Sequence, residues 1–398
     1  MKKTVRITVM TLVVFFLFPI LSTCDLFNVS LVDYLKDETG NGTPDEGTPD
    51  EGTPEPVEWV YLAVSTGNDS NSGWTEAEPV ETFGKALAIW EAKCLAEGSD
   101  KAWIMLTEDI KVSLGYDEAL TNTDTALVDF STNPVIPSGI TTITFAGSGT
   151  GITIDNAGFN GTTGRGRRVL SIKASGKTII LRNLTIKGGE RATASGGSLY
   201  NGGGIYIGDH SRVIMEDDVI IENNTAGYRG GGVYVEGDGS IFTMKGGEIR
   251  NNKAKDIVAA ATLEKGGGVY VGSNGTFIME GGAIKGNESD IDGGGIYVED
   301  TNATFTMKGG EISGNKALNP GSGKGGGGVC VGASGTFAME GGTIKDNESG
   351  SDGGGVYVAG ISATFTMKGG EIRENRASGS GLGKGGGVHV GASGTYTM

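Results

Sequence analysis

Apolar and polar residues alternate in short runs that recur in the same order along the second half of the chain. A Gly-Gly-Gly-[Val/Ile]-Tyr-Val block is followed by Thr-Phe-Thr-Met, then by Gly-Gly-Glu-Ile and an Asn. The blocks begin 27 to 36 residues apart, at Gly202, Gly230, Gly266, Gly293, Gly326, Gly353 and Gly385. Alternation with period two predicts strands, and the Gly and Asn clusters between the runs predict turns. Three strands and three turns per copy predict one rung of a solenoid whose rungs stack as parallel strands.

The alternation also predicts which side chains lie inside the solenoid. In the rung that begins at Gly293, these are Ile296 and Val298, Phe305 and Met307, and Ile312. Equivalent residues of successive rungs should stack roughly 4.8 Å apart. The predicted fold is therefore all-β, a right-handed parallel β-helix with three-strand rungs.

An Asn stands three residues after the inward Ile of each regular rung. Asparagine tolerates left-handed backbone, and its amide can hydrogen-bond to the same amide in the next rung. We expect a structural asparagine ladder rather than a catalytic set, formed by Asn252, Asn287, Asn315, Asn347 and Asn375.

Charged positions alternate in sign from rung to rung, which favours direct stacking of successive rungs. The position after the second-strand Met reads Lys245, Glu280, Lys308, Glu340 and Lys368. A duplicated unit of two rungs explains the alternation equally well, and both explanations can hold.

The chain before the repeats divides into three segments. Residues 1–24 combine Lys2 and Lys3 with an apolar stretch and predict a secretion signal, which ends at Cys24. Residues 25–56 are acidic and rich in Thr, Pro and Gly, which predicts a disordered tether. Residues 57–133 predict an N-terminal cap with a helix, and residues 134–398 the β-helix, whose last rung is interpreted as truncated.

Two resemblances extend this interpretation. Leu21-Ser22-Thr23-Cys24 resembles the lipobox of bacterial lipoproteins, which implies lipid attachment at Cys24, although Thr23 stands where Gly or Ala is usual. The run from Val64 to Gly73, with Thr82 to Leu87, looks like the opening of right-handed β-helix proteins of the pectin-lyase-like fold. The Gly-Gly-Ala-Ile-Lys-Gly-Asn repeats are similar to those of the polymorphic outer-membrane protein family, but its F-x-x-N element is missing.

Composition narrows the range of functions. The formal net charge of −16 argues against nucleic acid as a partner, and two His residues argue against a zinc site or a His-based triad. No cofactor or metal is expected. The alternative of a carbohydrate-active enzyme, a polysaccharide lyase or glycoside hydrolase, depends on non-repeated charges in the irregular rungs, namely Asp155, Arg165, Arg167, Arg168, Arg182, Glu216, Asp217 and Asp218.

The candidate binding feature is the residue between the two inward residues of each first strand. This outward position forms an aromatic strip made of Tyr206, Tyr234, Tyr270, Tyr297, Tyr357 and His389, with Cys330 interrupting it. Such a strip suits a glycan or protein ligand, but it also suits a self-stacking ladder that stabilises the sheet. The expected function is an exported, lipid-anchored rod at the outer membrane or cell surface that acts as a binding or structural envelope protein, such as an adhesin.

Overall fold

The structure is a computed structural model that describes residues 58–111, 126–129, 136–149, 151–156, 168–191, 201–255, 264–318, 325–379 and 383–398. The predicted signal, Cys24 and the tether lie outside the described residues. Within them the chain forms a parallel β-solenoid, which confirms the predicted all-β fold class. Four sheets run along it.

Sheet I holds the Val-Tyr-Val strands and sheet II the Thr-Phe-Thr-Met strands. The strands of sheet I are Ala126–Asp129, Arg168–Ile172, Ile205–Ile207, Val233–Val235, Val269–Val271, Ile296–Val298, Val329–Val331, Val356–Val358 and Val388–Val390. Those of sheet II are Val60–Leu62, Lys101–Leu106, Thr142–Gly147, Thr178–Arg182, Arg212–Met215, Ile241–Met244, Thr276–Met279, Thr304–Met307, Thr336–Met339, Thr364–Met367 and Thr395–Thr397.

Sheet III holds the strands around the inward Ile, and sheet IV holds two-residue strands that follow the ladder Asn. The strands of sheet III are Ile110–Lys111, Ile152–Asp155, Leu184–Lys187, Ile220–Glu222, Glu248–Arg250, Ala283–Lys285, Glu311–Ser313, Thr343–Lys345 and Glu371–Arg373. Those of sheet IV are Glu190–Arg191, Thr225–Ala226, Lys253–Ala254, Glu288–Ser289, Lys316–Ala317, Glu348–Ser349 and Arg376–Ala377. The regular rungs therefore have four strands rather than the predicted three. The sequence pattern did not reveal the fourth strand, because two residues are too few to show a period.

The core is built as the alternation predicts. Phe305 and Met307 are fully buried while Thr306 between them is partly exposed, which confirms the register of the second strand. The phenylalanine rings stack along the solenoid, with centroids 4.9 Å apart between Phe277 and Phe305 and 4.7 Å apart between Phe305 and Phe337. One in-register apolar column per inward position thus fills the interior.

A single helix among the described residues, Phe83–Glu97, packs on the first strands of sheet II. Thr82 caps its N-terminus by accepting a hydrogen bond from the backbone N–H of Lys85. The indole of Trp90 is buried and donates to the carbonyl of Trp103 in the second strand of this sheet. The helix therefore covers the first rungs, as a cap would.

The stacking begins earlier than the repeats indicate. Val60–Leu62 pairs in parallel with Lys101–Leu106, and this strand pairs in turn with Thr142–Gly147. The sheets therefore start ahead of the boundary at residue 134 predicted from the sequence. These first rungs contain the helix and lack the glycine block, so their membership cannot be recognised from the repeat.

Candidate functional surfaces

The asparagines form a continuous hydrogen-bonded ladder at the corner between sheets III and IV. In each step the side-chain amide donates to the Oδ1 of the next Asn, at 3.0 Å from Asn252 to Asn287 and 2.9 Å from Asn287 to Asn315. Asn224, which lies outside the predicted set, extends the ladder by donating to Asn252 at 3.0 Å. All of these side chains except that of Asn375 are buried. The ladder is thus part of the interior, apart from its last member, Asn375.

The left-handed backbone at this corner belongs to a different residue from the one expected. It is the residue before each ladder Asn that has positive φ, for example Asn251 at 55° and Glu374 at 54°. The ladder asparagines themselves avoid this region, because their amides must align with those of the neighbouring rungs. The expectation that the ladder Asn supplies the left-handed residue is therefore wrong.

The outward tyrosines of sheet I also stack on one another. Ring centroids are 5.4 Å apart between Tyr206 and Tyr234, 5.2 Å between Tyr234 and Tyr270, and 5.7 Å between Tyr270 and Tyr297. These rings form a cluster of their own with Cys330 and Tyr357, separate from the solenoid core. Their arrangement is that of a ladder.

Glutamates of alternate rungs hold the tyrosine hydroxyls in pairs. Tyr206 and Tyr234 both donate to Glu236, at 2.7 and 2.5 Å. Tyr297 donates to Glu299 at 3.1 Å, and Tyr270 does so at 3.4 Å. Each carboxylate therefore bridges two successive rungs.

Basic side chains complete the cover over the second tyrosine pair. The Lys265 ammonium lies 2.7 Å from the Glu299 carboxylate and 4.5 Å from the ring centroid of Tyr297. The Arg229 guanidinium lies 4.9 Å from the ring centroid of Tyr270. Burial would raise the pKa of Glu299, but the charge of Lys265 and the hydrogen bonds from Lys265 and Tyr297 outweigh it and hold that pKa below 4.5.

The tyrosine strip is consequently not the exposed binding surface that the sequence suggested. Tyr234 is 2 % exposed, Tyr270 and Tyr297 are fully buried, and Tyr357 is 9 % exposed. Burial raises the pKa of the Tyr234 and Tyr297 hydroxyls far above the usual value, so they stay protonated donors to the glutamates. Alternation fixed the outward direction of these side chains correctly but could not show what covers them. The sequence did contain a sign of this cover, because Glu236 and Glu299 each stand directly after the second inward Val of their strand.

The other members of the strip are more accessible. Tyr206 is partly buried, with the Arg168 guanidinium 4.4 Å from its ring centroid. His389 is also partly buried, and its Nδ1 lies 3.0 Å from Oδ2 of Asp352. Cys330 is fully buried between the rungs of Tyr297 and Tyr357. The strip therefore presents no continuous aromatic face.

Four of the non-repeated charges proposed for catalysis lie together at the corner after sheet II, namely Arg182, Glu216, Asp217 and Asp218, and the other two described ones lie on sheets I and III. Arg182 pairs with Glu216 at 2.7 Å at the end of sheet II, whereas Asp155 lies 3.4 Å from Lys187 on sheet III. Arg168 lies on sheet I, under the ring of Tyr206. Asp218 accepts from the backbone N–H of Asn183, and Asp217 follows Glu216 in the turn. Arg165 and Arg167 lie outside the described residues. At the corner after sheet II the Arg182–Glu216 pair and the Asn183–Asp218 hydrogen bond join neighbouring rungs, so these charges have structural partners.

The charged columns on the outside pair from rung to rung. Lys308 lies 3.0 Å from Glu280 and Lys368 lies 3.5 Å from Glu340 at the corner after sheet II. These pairs are solvent-exposed, so each contributes no more than about 1 kcal/mol. They favour the register in which neighbouring rungs carry opposite charges.

Comparisons with protein-family models, with curated proteins and with solved structures found no match. Among the residues that the structure describes, no helix combines the length and apolarity needed to span a membrane. The same residues contain no cluster of three or more His, Cys, Asp or Glu side chains placed to hold a metal ion.

Proposed function

We propose that this chain is a lipid-anchored β-solenoid rod of the cell envelope that displays its outer faces for binding, as an adhesin does. The observation that carries the proposal is that three ladders, of Phe, Asn and Tyr, follow successive rungs in register. The recurring residues are thereby used to hold the stack together. Such a scaffold can be lengthened by adding rungs without changing its interior, and this suits a display protein.

The finer family assignment is part of the same proposal. The opening segment and the repeats resemble the right-handed, pectin-lyase-like β-helix and the polymorphic outer-membrane repeats. A right-handed turn is favoured because parallel strands joined within one sheet are almost always connected in that hand. The alternative of a carbohydrate-active enzyme has less support, because Arg182, Glu216 and Asp218 are engaged in contacts that join neighbouring rungs.

The anchor can be tested by labelling with a fatty acid during expression of the full chain in a bacterium. We expect the wild type to take up label and to sediment with membranes, and Cys24→Ser to lose both properties. Thr23→Gly is the matched control, since it restores the usual lipobox residue and should keep the label. Equal labelling of wild type and Cys24→Ser would remove the anchor from the proposal.

Binding is tested separately, with the purified full chain on arrays of glycans and extracellular-matrix proteins. Retention of at least one ligand, without cleavage of a panel of soluble polysaccharides, is the expected result. Cleavage of a polysaccharide would favour the enzyme instead, and a folded protein that retains no ligand would rule out the adhesin role.

A further inference from the structure

The outer side of sheet II carries two parallel ranks, one made of threonine and one mostly of threonine, which we call the threonine face. The first rank occupies one outward position of five successive strands and the second rank the outward position two residues later. The first rank is Thr276, Thr304, Thr336, Thr364 and Thr395. The second rank is Thr243, Ile278, Thr306, Ala338, Thr366 and Thr397.

The packing beneath fixes the spacing of these hydroxyls. Phe305, Phe337 and Phe365 lie on the inner side of the same strands, and their ring centroids are 4.7 and 4.6 Å apart. Along each strand the two ranks are separated by about 6.6–6.8 Å, twice the rise per residue. Threonine is β-branched and has a stiff χ1 torsion, so its hydroxyl and methyl keep their positions. The first rank is therefore an uninterrupted row of hydroxyls with a fixed repeat, and the second rank adds a hydroxyl at four of its six positions.

The threonine face is accessible and uncharged. Thr336, Thr395 and Thr397 are exposed, and the other members of the two ranks are partly exposed. No Asp, Glu, Lys or Arg stands in either rank between residues 241 and 397. By contrast, the outward positions of sheet III carry charges such as Glu248 and Arg250 in the same rungs. The threonine face is therefore uncharged, although the chain as a whole is strongly acidic.

These properties argue against most partners. A charged partner gains no electrostatic attraction here. A second copy of the chain would bury roughly 400 Å² on this face, estimated as about 30 Å of stacked strands by about 13 Å of strand length, whereas a stable complex needs about 800 Å² per partner. A sugar chain is normally held by aromatic rings and convergent polar groups, which the ranks lack.

The remaining ligand is a surface that itself repeats in two dimensions and carries no charge. We propose that the threonine face binds crystalline ice. Water bridges neighbouring hydroxyls readily, and hydroxyls held at a fixed repeat impose that repeat on their first water layer. The methyl groups between them leave these waters bonded to one another, so the layer can join a crystal of similar repeat. Weak contacts then add along the ranks. The inference is independent of the envelope function proposed above.

The test is to freeze a dilute solution of the purified full chain slowly from one side and measure the fraction of protein that enters the ice. Thermal hysteresis is measured on the same samples. We expect wild type to enter the ice and to depress the freezing point below the melting point. Thr336→Lys should lower the fraction in ice by roughly tenfold or more, because one charged side chain breaks the repeat.

Thr343→Lys is the matched control, since Thr343 lies in the same rung but on the outer side of sheet III. It should behave like the wild type, and circular dichroism checks that both variants keep the fold. Thr336→Val keeps the shape but removes one hydroxyl, so it reports on the site even if the Lys variant misfolds, and we expect a partial loss. Exclusion of the wild type from ice would overturn the proposal, as would equal behaviour of folded Thr336→Lys and Thr343→Lys. Binding to crystalline polysaccharide without any effect on ice would also overturn it.

Discussion

Replacement of Asn287 tests whether the asparagine ladder stabilises the solenoid. The side chain is fully buried and makes four hydrogen bonds, all between 2.9 and 3.0 Å. Its Nδ2 donates to the carbonyl of Ile249 and to Oδ1 of Asn315. Its Oδ1 accepts from both the backbone N–H and the Nδ2 of Asn252. One side chain thus connects three rungs.

Asn287→Ala removes all four bonds and leaves the partners buried. The Asn252 backbone N–H and the Ile249 carbonyl lose the amide that satisfies them, and water has no access to either. Each buried polar group deprived of its partner costs about 1–3 kcal/mol. We therefore expect the free energy of unfolding to fall by about 2–5 kcal/mol.

The matched control is Asn302→Gly, in an exposed turn of the next rung. Asn302 has φ of 59°, and its side-chain amide makes one bond, to Asn274 at 2.9 Å. Glycine adopts positive φ without strain, so this change should cost no more than about 0.5 kcal/mol.

Because rungs of a solenoid can open locally, urea unfolding followed by circular dichroism should be combined with amide hydrogen exchange. We expect Asn287→Ala to accelerate exchange in the strands Glu248–Arg250 and Ala283–Lys285 before it affects the first rungs. If Asn287→Ala were as stable as Asn302→Gly, the ladder would not stabilise the solenoid.

Three further results are expected. Phe305→Ala should lower the free energy of unfolding by about 3–5 kcal/mol, because it leaves a cavity in the buried stack of phenylalanine rings. The outward Thr306→Ala should change the free energy of unfolding by no more than about 0.5 kcal/mol in the same urea titration. The pKa of Glu299 is held below its ordinary value in the folded chain, so its stabilisation is present above the ordinary carboxyl pKa and lost as pH falls through the lowered folded pKa. Glu299→Gln should therefore destabilise at pH 7 and make progressively less difference in acid, and a constant difference across the pH range would contradict this. Deletion of residues 266–325 removes two rungs and keeps opposite charges adjacent, whereas deletion of residues 266–292 removes one rung and brings like charges together. Added salt should stabilise the second variant more than the first in thermal melts, and an equal response would show that the charge columns do not set register.

The sequence could predict the interior of the rungs because a period of two assigns every residue to one side of a strand. Phe305 and Met307 therefore lie inside and Thr306 outside, as expected. The fourth strand, Lys316–Ala317 in this region, is too short to show a period. The recognisable repeats begin only at Gly202, whereas backbone pairing starts at Val60 without them.

The tyrosine strip lies on the predicted side of its strands, but its burial could not be predicted from a period of two. A period of two predicts that Tyr270 points away from the core, and the structure confirms this direction. Exposure, however, depends on side chains from other rungs that approach through space. Glu299 and Arg229 are 29 and 41 residues away from Tyr270 in the chain. These contacts follow from the stacking of rungs. The burial of Tyr270 can therefore be predicted only once it is known which rungs are neighbours.

The tyrosine and glutamate contacts also explain why the chain repeats in pairs of rungs. A partly buried carboxylate gains from more than one donor, because the donors offset its lost hydration, and two stacked tyrosines supply two hydroxyls to Glu236 and again to Glu299. In the next pair Cys330 replaces one tyrosine, and Ala359 stands where the glutamate would be. The carboxylate is thus absent where only Tyr357 could donate to it. Two rungs are therefore the smallest unit that keeps this surface satisfied, and the charge columns alternate with the same period.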